Sequence, residues 1–152
     1  MGNLQFGNRI DGINYNQRPG VYAVIINGNG KCALIVADGK YHLPGGGIRN
    51  DEKMDDALRR EVLEEIGFIF GKMHRVGSAN QYCYSSVDKK YYNKLCHYFL
   101  IANFNDENSS GVTGEHDIHW ASFDKAASIL EHESHAWAVK EAKKMITSSS
   151  TR

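Results

Sequence analysis

The chain has 152 residues, a length that suits one compact domain with a real core and does not divide comfortably into two. Hydrophobic residues make up 41% of it and charged residues 24%, close to the averages for globular proteins, so neither a disordered nor a membrane class is indicated. Eighteen basic residues cancel eighteen acidic ones, which leaves no net field to draw the protein onto a nucleic-acid polymer or an anionic membrane.

The start, MGNLQFGNRIDG, has no apolar stretch behind a basic head, and no run of about eighteen apolar residues occurs in the chain. Residue six is Phe where a myristoylation signal requires Ser or Thr. Cys32, Cys83 and Cys96 are odd in number and far apart, which suits neither a disulfide framework nor a zinc site. A reduced, cytoplasmic protein is expected.

After a polar lead-in, Val21 to Ile26 and Cys32 to Ala37 are β-branched runs separated by Asn27, Gly28, Asn29, Gly30 and Lys31, which predicts a hairpin. These glycines join two strands, so they read as a turn and not as a phosphate loop. YHLPGGG predicts a short strand ended by Pro44 and the glycines. Asn50 or Asp51 can then cap a helix over about 52–66, with Met54, Ala57, Leu58, Val62 and Ile66 at helical spacing and Gly67 at its stop. FIFGKMHRVGSA, QYCYSS and KLCHYFLIANF predict three strands, with a polar loop around Asp88 to Tyr92, and DIHWASF a fourth. Ser122 or Asp124 can cap a short helix through Leu130. SHAWAVKEAKKMI predicts a last amphipathic helix with Ala136, Val139 and Met145 inward, followed by a frayed tail over 147–152. One α/β or α+β domain over 1–146, with a mixed sheet and a central helix, is the expected architecture.

On a wheel of about 100° per residue with Met54 at zero, the apolar positions of the central helix centre near roughly 40°. Glu61, Glu64 and Glu65 fall at roughly 340°, 280° and 20°, inside the apolar sector or on its edge. Carboxylates gathered there must take up protons or find cations. One reading pairs them with Arg59, Arg60 and Lys53 on a solvated face. The other has the i, i+3, i+4 set hold Mg²⁺ or Mn²⁺, whose hard ions favour carboxylate oxygens and phosphates.

Gly46, Glu52 and the stretch Arg60-Glu61-Val62-Leu63-Glu64-Glu65-Ile66-Gly67-Phe68 satisfy G-x5-E-x7-R-E-U-x-E-E-x-G-U, with U apolar, at every specified position. The chain therefore resembles the Nudix hydrolases, of the MutT-like kind. The resemblance implies a Nudix fold, an α/β/α sandwich around a mixed sheet, in which this stretch forms loop, helix and loop. It implies hydrolysis of a nucleoside diphosphate linked to another moiety, by attack of water on a phosphorus of the anhydride. It also implies that Glu61, Glu64 and Glu65 ligate Mg²⁺ (or Mn²⁺), with the Gly46 carbonyl as a further ligand, while Glu52 and Arg60 support the catalytic helix. Glu64 or Glu65 would take the proton from water. Many relatives add an acid from a loop ahead of a late Trp. GEHDIHW offers Glu115, favoured here, and Asp117 for that role; His116 and His119 beside them lack zinc spacing.

The group beyond the diphosphate is read outside the motif. Tyr82 and Tyr84, with Tyr91 and Tyr92, suit either stacking of a base or packing within a sheet, and Arg18 suits either a phosphate or the open surface. A small nucleotide, either a nucleoside triphosphate or a dinucleoside polyphosphate, is the favoured substrate. The competing function is a Nudix-fold module that binds nucleotide without turnover. Dimers are frequent in the family, so a homodimer is compatible.

Overall fold

A computed structural model describes residues 4–106 and 117–150. Ten strands and three helices follow in order: β1 (Leu4–Phe6), β2 (Asn16–Ile25), β3 (Lys31–Ala37), β4 (Lys40–His42), β5 (Gly45–Gly47), α1 (Met54–Ile66), β6 (Ile69–Phe70), β7 (His74–Ser85), β8 (Lys90–Ile101), β9 (Phe104–Asn105), β10 (Ile118–Ser122), α2 (Phe123–Ile129) and α3 (Glu133–Ser150).

Gly20 to Ile25 are buried without alternation, the pattern of a strand covered on both faces. β2 lies inside a mixed five-stranded sheet of order β1-β7-β8-β2-β5, parallel to β8 and antiparallel to β5. Its inward residues divide between two cores. Tyr22 and Val24 pack with Tyr98 and with Ala138, Val139 and Ala142 of α3, while Val21, Ala23 and Ile25 pack with Ala57, Leu58 and Val62 of α1. Burying each Val, Ile or Leu side chain contributes about 1.5–3 kcal/mol, so this strand helps to anchor both helices. A second sheet, β10-β3-β4, lends Leu34 to the α3 core and Ile35 to the α1 core. The result is a mixed α+β sandwich of helix, sheet and helix.

The turn at 27–31 forms as expected, with Gly30 N–H bonded to Asn27 O at 3.0 Å, yet the strands it joins are not a hairpin. After the single bridge Ile26 to Cys32 they part into different sheets, because each is needed against a different set of partners. The glycines after Pro44 do not end a strand; they form β5, whose close pairing with β2 leaves no room for side chains. A Cβ on Gly45, which has φ of 147°, would lie 2.2 Å from Val21 O. QYCYSS belongs to the same strand as RVGSA: Asn80, which looks like punctuation, donates across the sheet from its side chain to Asn93 at 3.2 Å. Lys90 to Tyr92, expected in a loop, open β8. β1 pairs in parallel with β7 where only a lead-in was expected.

Helix α1 begins after Lys53, which takes the N-cap position without a side-chain cap, so neither Asn50 nor Asp51 serves. Asp51 instead turns the loop with φ of 66°. Gly67 closes the helix in the left-handed conformation at φ of 75°, as its place in the sequence indicates. Ser122 caps α2 by accepting from Lys125 N–H at 3.2 Å. Helix α3 continues through Ser150, which corrects the tail expected from 147: nothing after Met145 is a helix stop, and Thr147 Oγ1 donates back to Lys143 O at 2.9 Å. Val139 is buried as expected, Ala136 and Met145 half-buried.

Candidate active site

The wheel orders the three glutamates correctly. Glu65, nearest the apolar centre, is 9% exposed, and the side chains of Glu61 and Glu64 are 17% and 43% exposed. Burial of this kind requires partners, and two serve the three: the Gly45 amide for Glu65 and the Arg60 guanidinium for Glu61 and Glu64. Glu65 Oε1 accepts from Gly45 N–H at 2.7 Å, tying the helix to β5. Glu61 Oε1 accepts from Arg60 Nη1 at 2.9 Å, and Glu64 Oε2 lies 3.5 Å from the same nitrogen. The Glu61 carboxyl also fills the space over Gly46, where an added Cβ would sit 2.6 Å from its carboxyl carbon.

Arg60 is the hub of the cluster. Its Nε donates to Glu52 Oε2 at 2.7 Å and its Nη2 to Glu52 Oε1 at 3.0 Å, a fork-to-fork pair, and Nη2 also reaches Gly47 O at 3.1 Å. Glu52 accepts a further bond from Arg49 N–H at 3.0 Å, which fixes the loop between β5 and α1. These bonds, the Arg60 guanidinium first and the Arg49 amide second, hold the Glu52 carboxyl down at about 2. The same pairing raises Arg60 above its ordinary value. Arg59 does not join the carboxylates: it donates to Phe70 O and, at 2.7 Å, to Gly71 O, and it lies over the Phe70 ring. The solvated-face reading of the glutamates therefore fails for Arg59, and Arg60 is spoken for by Glu52 as much as by the helix.

Among the described residues no three His, Cys, Asp or Glu side chains are gathered in metal-holding geometry. Glu61 and Glu64 lie on Arg60 and Glu65 on Gly45, so they surround a common edge of α1 without converging. Glu115 and His116 lie outside the described residues; Asp117 and His119 are exposed, and the His119 ring packs at a tilt on Tyr41, 5.2 Å between centroids.

Arg18, for which the sequence left a phosphate or the open surface, lines a cavity of about 110 Å³ with Gly20, Tyr22, Gly46, Gly47 and Lys94. A Cβ on Gly47 would stand 3.0 Å from Arg18 Nε, so the bare strand lets the guanidinium approach. Tyr82 and Tyr84 do not line this cavity but do line the neighbouring one of about 410 Å³, which shares Lys94 with it. Their register partners are Asn93 and Tyr91, on the α1 side of the sheet, while Arg18 pairs with Lys94 on the α3 side. Tyr82 packs on Tyr15 at 4.9 Å and Tyr84 on Tyr91 at 4.8 Å between centroids. Lys94 escapes a reading of the sequence, because only the parallel pairing of β2 and β8 sets it opposite Arg18.

A family model described as the NUDIX domain matches residues 16–143. The chain belongs to the Nudix family, and its class is that of the Nudix pyrophosphohydrolases. None of the curated protein sequences matches significantly. Among solved structures, a MutT Nudix hydrolase from Burkholderia pseudomallei has a TM-score of 0.65 at 22% identity, covering 83% of this chain and 98% of its own. The ORF135 protein of E. coli has a TM-score of 0.63 at 20% identity, with 88% and 94% covered. The E. coli dihydroneopterin triphosphate pyrophosphohydrolase has a TM-score of 0.62 at 13% identity, with 84% and 95% covered. These likenesses are of fold. No helix among the described residues is long and apolar enough to cross a membrane.

Proposed function

We propose that the protein hydrolyses a phosphoanhydride bond of a small nucleoside diphosphate derivative, a nucleoside triphosphate or dinucleoside polyphosphate by preference, with Mg²⁺ or Mn²⁺ as cofactor, in the cytoplasm. The observation that carries this is the chain Glu52–Arg60–Glu61 seated against Gly46, which sets three carboxylates of α1 beside a side-chain-free strand.

The donor set fits a hard divalent cation. Glu61, Glu64 and Glu65 supply carboxylate oxygens, and the Glu61 carboxyl can lie against Gly46 only because that residue lacks a Cβ. A bound cation would offset the negative charge of the diphosphate and lower the pKa of its water. The chain's own groups do the rest. Glu65, buried and fixed by Gly45 N–H, is suited to holding and not to moving a proton. Glu64, the most exposed of the three and with one long contact to Arg60, is free to accept the proton of the attacking water as the P–O anhydride bond breaks. Arg18 meets a phosphoryl oxygen across Gly47.

A panel of nucleoside triphosphates, dinucleoside polyphosphates and nucleoside diphosphate sugars, assayed with Mg²⁺ for phosphate and pyrophosphate release, tests the reading. Turnover of one class is expected, with Glu64→Gln lowering kcat by about 10²–10⁴-fold at little change in KM. Nucleotide binding with no release from any compound would favour a binding module instead.

A further inference from the structure

Lys94 is half-buried on β8, and its register partner on the parallel strand β2 is Arg18. Like charges directly opposite in a sheet repel, and such a pair needs a compensating anion. The structure provides little. Asp88 Oδ2 approaches Arg18 Nη1 at 3.9 Å, and among the described residues no carboxylate lies within 4 Å of the Lys94 ammonium. Arg18 is otherwise held over the Tyr92 ring at 5.6 Å. Two cations therefore face one small space with a single distant acid.

Lys94 also lines two cavities at once. The smaller, of about 110 Å³, holds Arg18, Tyr22 and the Gly46–Gly47 backbone. Small and lined by two cations, it suits a phosphoryl group. The larger, of about 410 Å³, is walled by Gln81 and Cys83 of β7, His42 of β4 and His132 ahead of α3. That volume falls within the roughly 300–1,000 Å³ of small-molecule sites. Its acids, Asp38, Glu131 and Glu133, come from the β3–β4 turn and the α2–α3 junction, and Glu131 is paired with Lys40 at 3.4 Å.

We infer that Lys94, with Arg18, clamps the phosphoryl group next to the nucleoside, and that the nucleoside itself occupies the larger cavity, on the face of the sheet opposite α1. The inference rests on the phosphoanhydride reading for its substrate class. On this geometry the phosphate chain crosses the edge strand at Gly46–Gly47, which carries no side chains, to reach the glutamates on the other side. Lys94 is then a determinant of how tightly a 5′-phosphate is gripped. His42 and His132 offer the hydrogen bonds that read the base.

Dissociation constants for nucleosides and their 5′-monophosphates, measured by calorimetry in EDTA, test this without turnover. In the wild type the monophosphate binds more tightly than its nucleoside. Lys94→Gln is expected to erase about 10-fold of that advantage, in line with one charge-assisted contact, and Lys94→Arg to restore most of it. In steady state Lys94→Gln raises KM for the triphosphate by a similar factor, with kcat within about threefold. Equal monophosphate advantage in wild type and Lys94→Gln, or no binding of any monophosphate to the wild type, overturns the inference. A chain that hydrolyses nothing yet shows the Lys94-dependent advantage loses the phosphoanhydride reading and keeps the clamp. Active enzyme with an unaltered KM in Lys94→Gln does the reverse. Unfolding temperatures of both variants within a few degrees of the wild type identify the effect as local.

Discussion

Glu52 lies eight residues before Arg60 and touches no carboxylate, yet the position of Glu61 depends on it. Its two oxygens fix the guanidinium that holds Glu61 and reaches Glu64. Glu52→Gln keeps the shape but turns an amide toward Arg60, leaving the arginine to collapse further onto Glu61 and Glu64. Hydrolysis should fall by about 10–100-fold, the usual cost of losing a supporting contact of this kind. The pH dependence gives a separate check. A carboxyl held at about 2 when folded contributes stability above its unfolded value near 4.5 and loses it as the pH falls toward 2. The urea midpoint of Glu52→Gln should lie below that of the wild type at pH 7, and the gap should narrow as the pH falls from 4.5 toward 2. A gap that stays constant would mean that Glu52 titrates normally. Gly46 makes a complementary case: its methyl in Gly46→Ala would meet the Glu61 carboxyl at 2.6 Å, a flexible neighbour that can give way. Activity should drop at least about 10-fold while the midpoint moves little, since the displaced group is a side chain end and not backbone. A large loss of stability with normal kcat would count against the placement of Glu61.

At the scale of elements, helix α1 shows both what the sequence discloses and what it hides. The apolar spacing, the inward glutamates and the Gly67 stop are all local properties of a 3.6-residue period, and each appears in the structure where the sequence puts it. The start is different. Lys53 holds the N-cap with extended φ and ψ of −75° and 151° but no side-chain acceptor, because Glu52, the nearest acid, is committed to Arg60. Lys53→Ser should therefore add a cap worth about 0.5–1 kcal/mol and raise Tm by roughly 2–4 °C. Thermal unfolding with no gain would show that the first-turn amides are already satisfied. Strand partnerships are less legible than the helix. That β2 and β3 part company, that three glycines form β5, and that Arg18 meets Lys94 are facts of pairing between segments far apart in the chain. Period-2 patterning says which residues lie on one face and nothing of the neighbour across it. The catalytic half of the candidate site, being one helix and its flanking loop, is thus readable from the sequence, whereas the cavities over β8 are not.

Across the whole molecule, the α3 core is sealed by polar groups that have no aqueous alternative. Tyr98 Oη donates to Ser134 Oγ at 2.7 Å, Ser134 N–H to Gln81 Oε1 at 3.0 Å, and Leu43 N–H to His135 Nδ1 at 3.2 Å. His135 must stay neutral to accept that bond, and burial, with His132, His42 and Lys94 nearby, holds it well below its ordinary value. His132 is pushed down to about 3 by burial first and then by Lys94, His42 and Lys40. The sign follows from linkage. The unfolded chain takes up these protons near pH 6.5 and the folded chain resists them, so stability is full above that pH and declines as the pH falls from 6.5 toward 3. This window opens two units above that of Glu52, so acid weakens the α3 core before it loosens the glutamate cluster. Urea midpoints should drop between pH 7.5 and 5 in the wild type, and less steeply in His132→Gln, whatever that variant's stability at neutral pH. Identical slopes would show that His132 protonates freely in the folded protein. Because His132 and His42 also wall the larger cavity, a bound nucleoside 5′-monophosphate should raise the midpoint at pH 7.5 through mass action, coupling the acid-sensitive core to occupancy of the site.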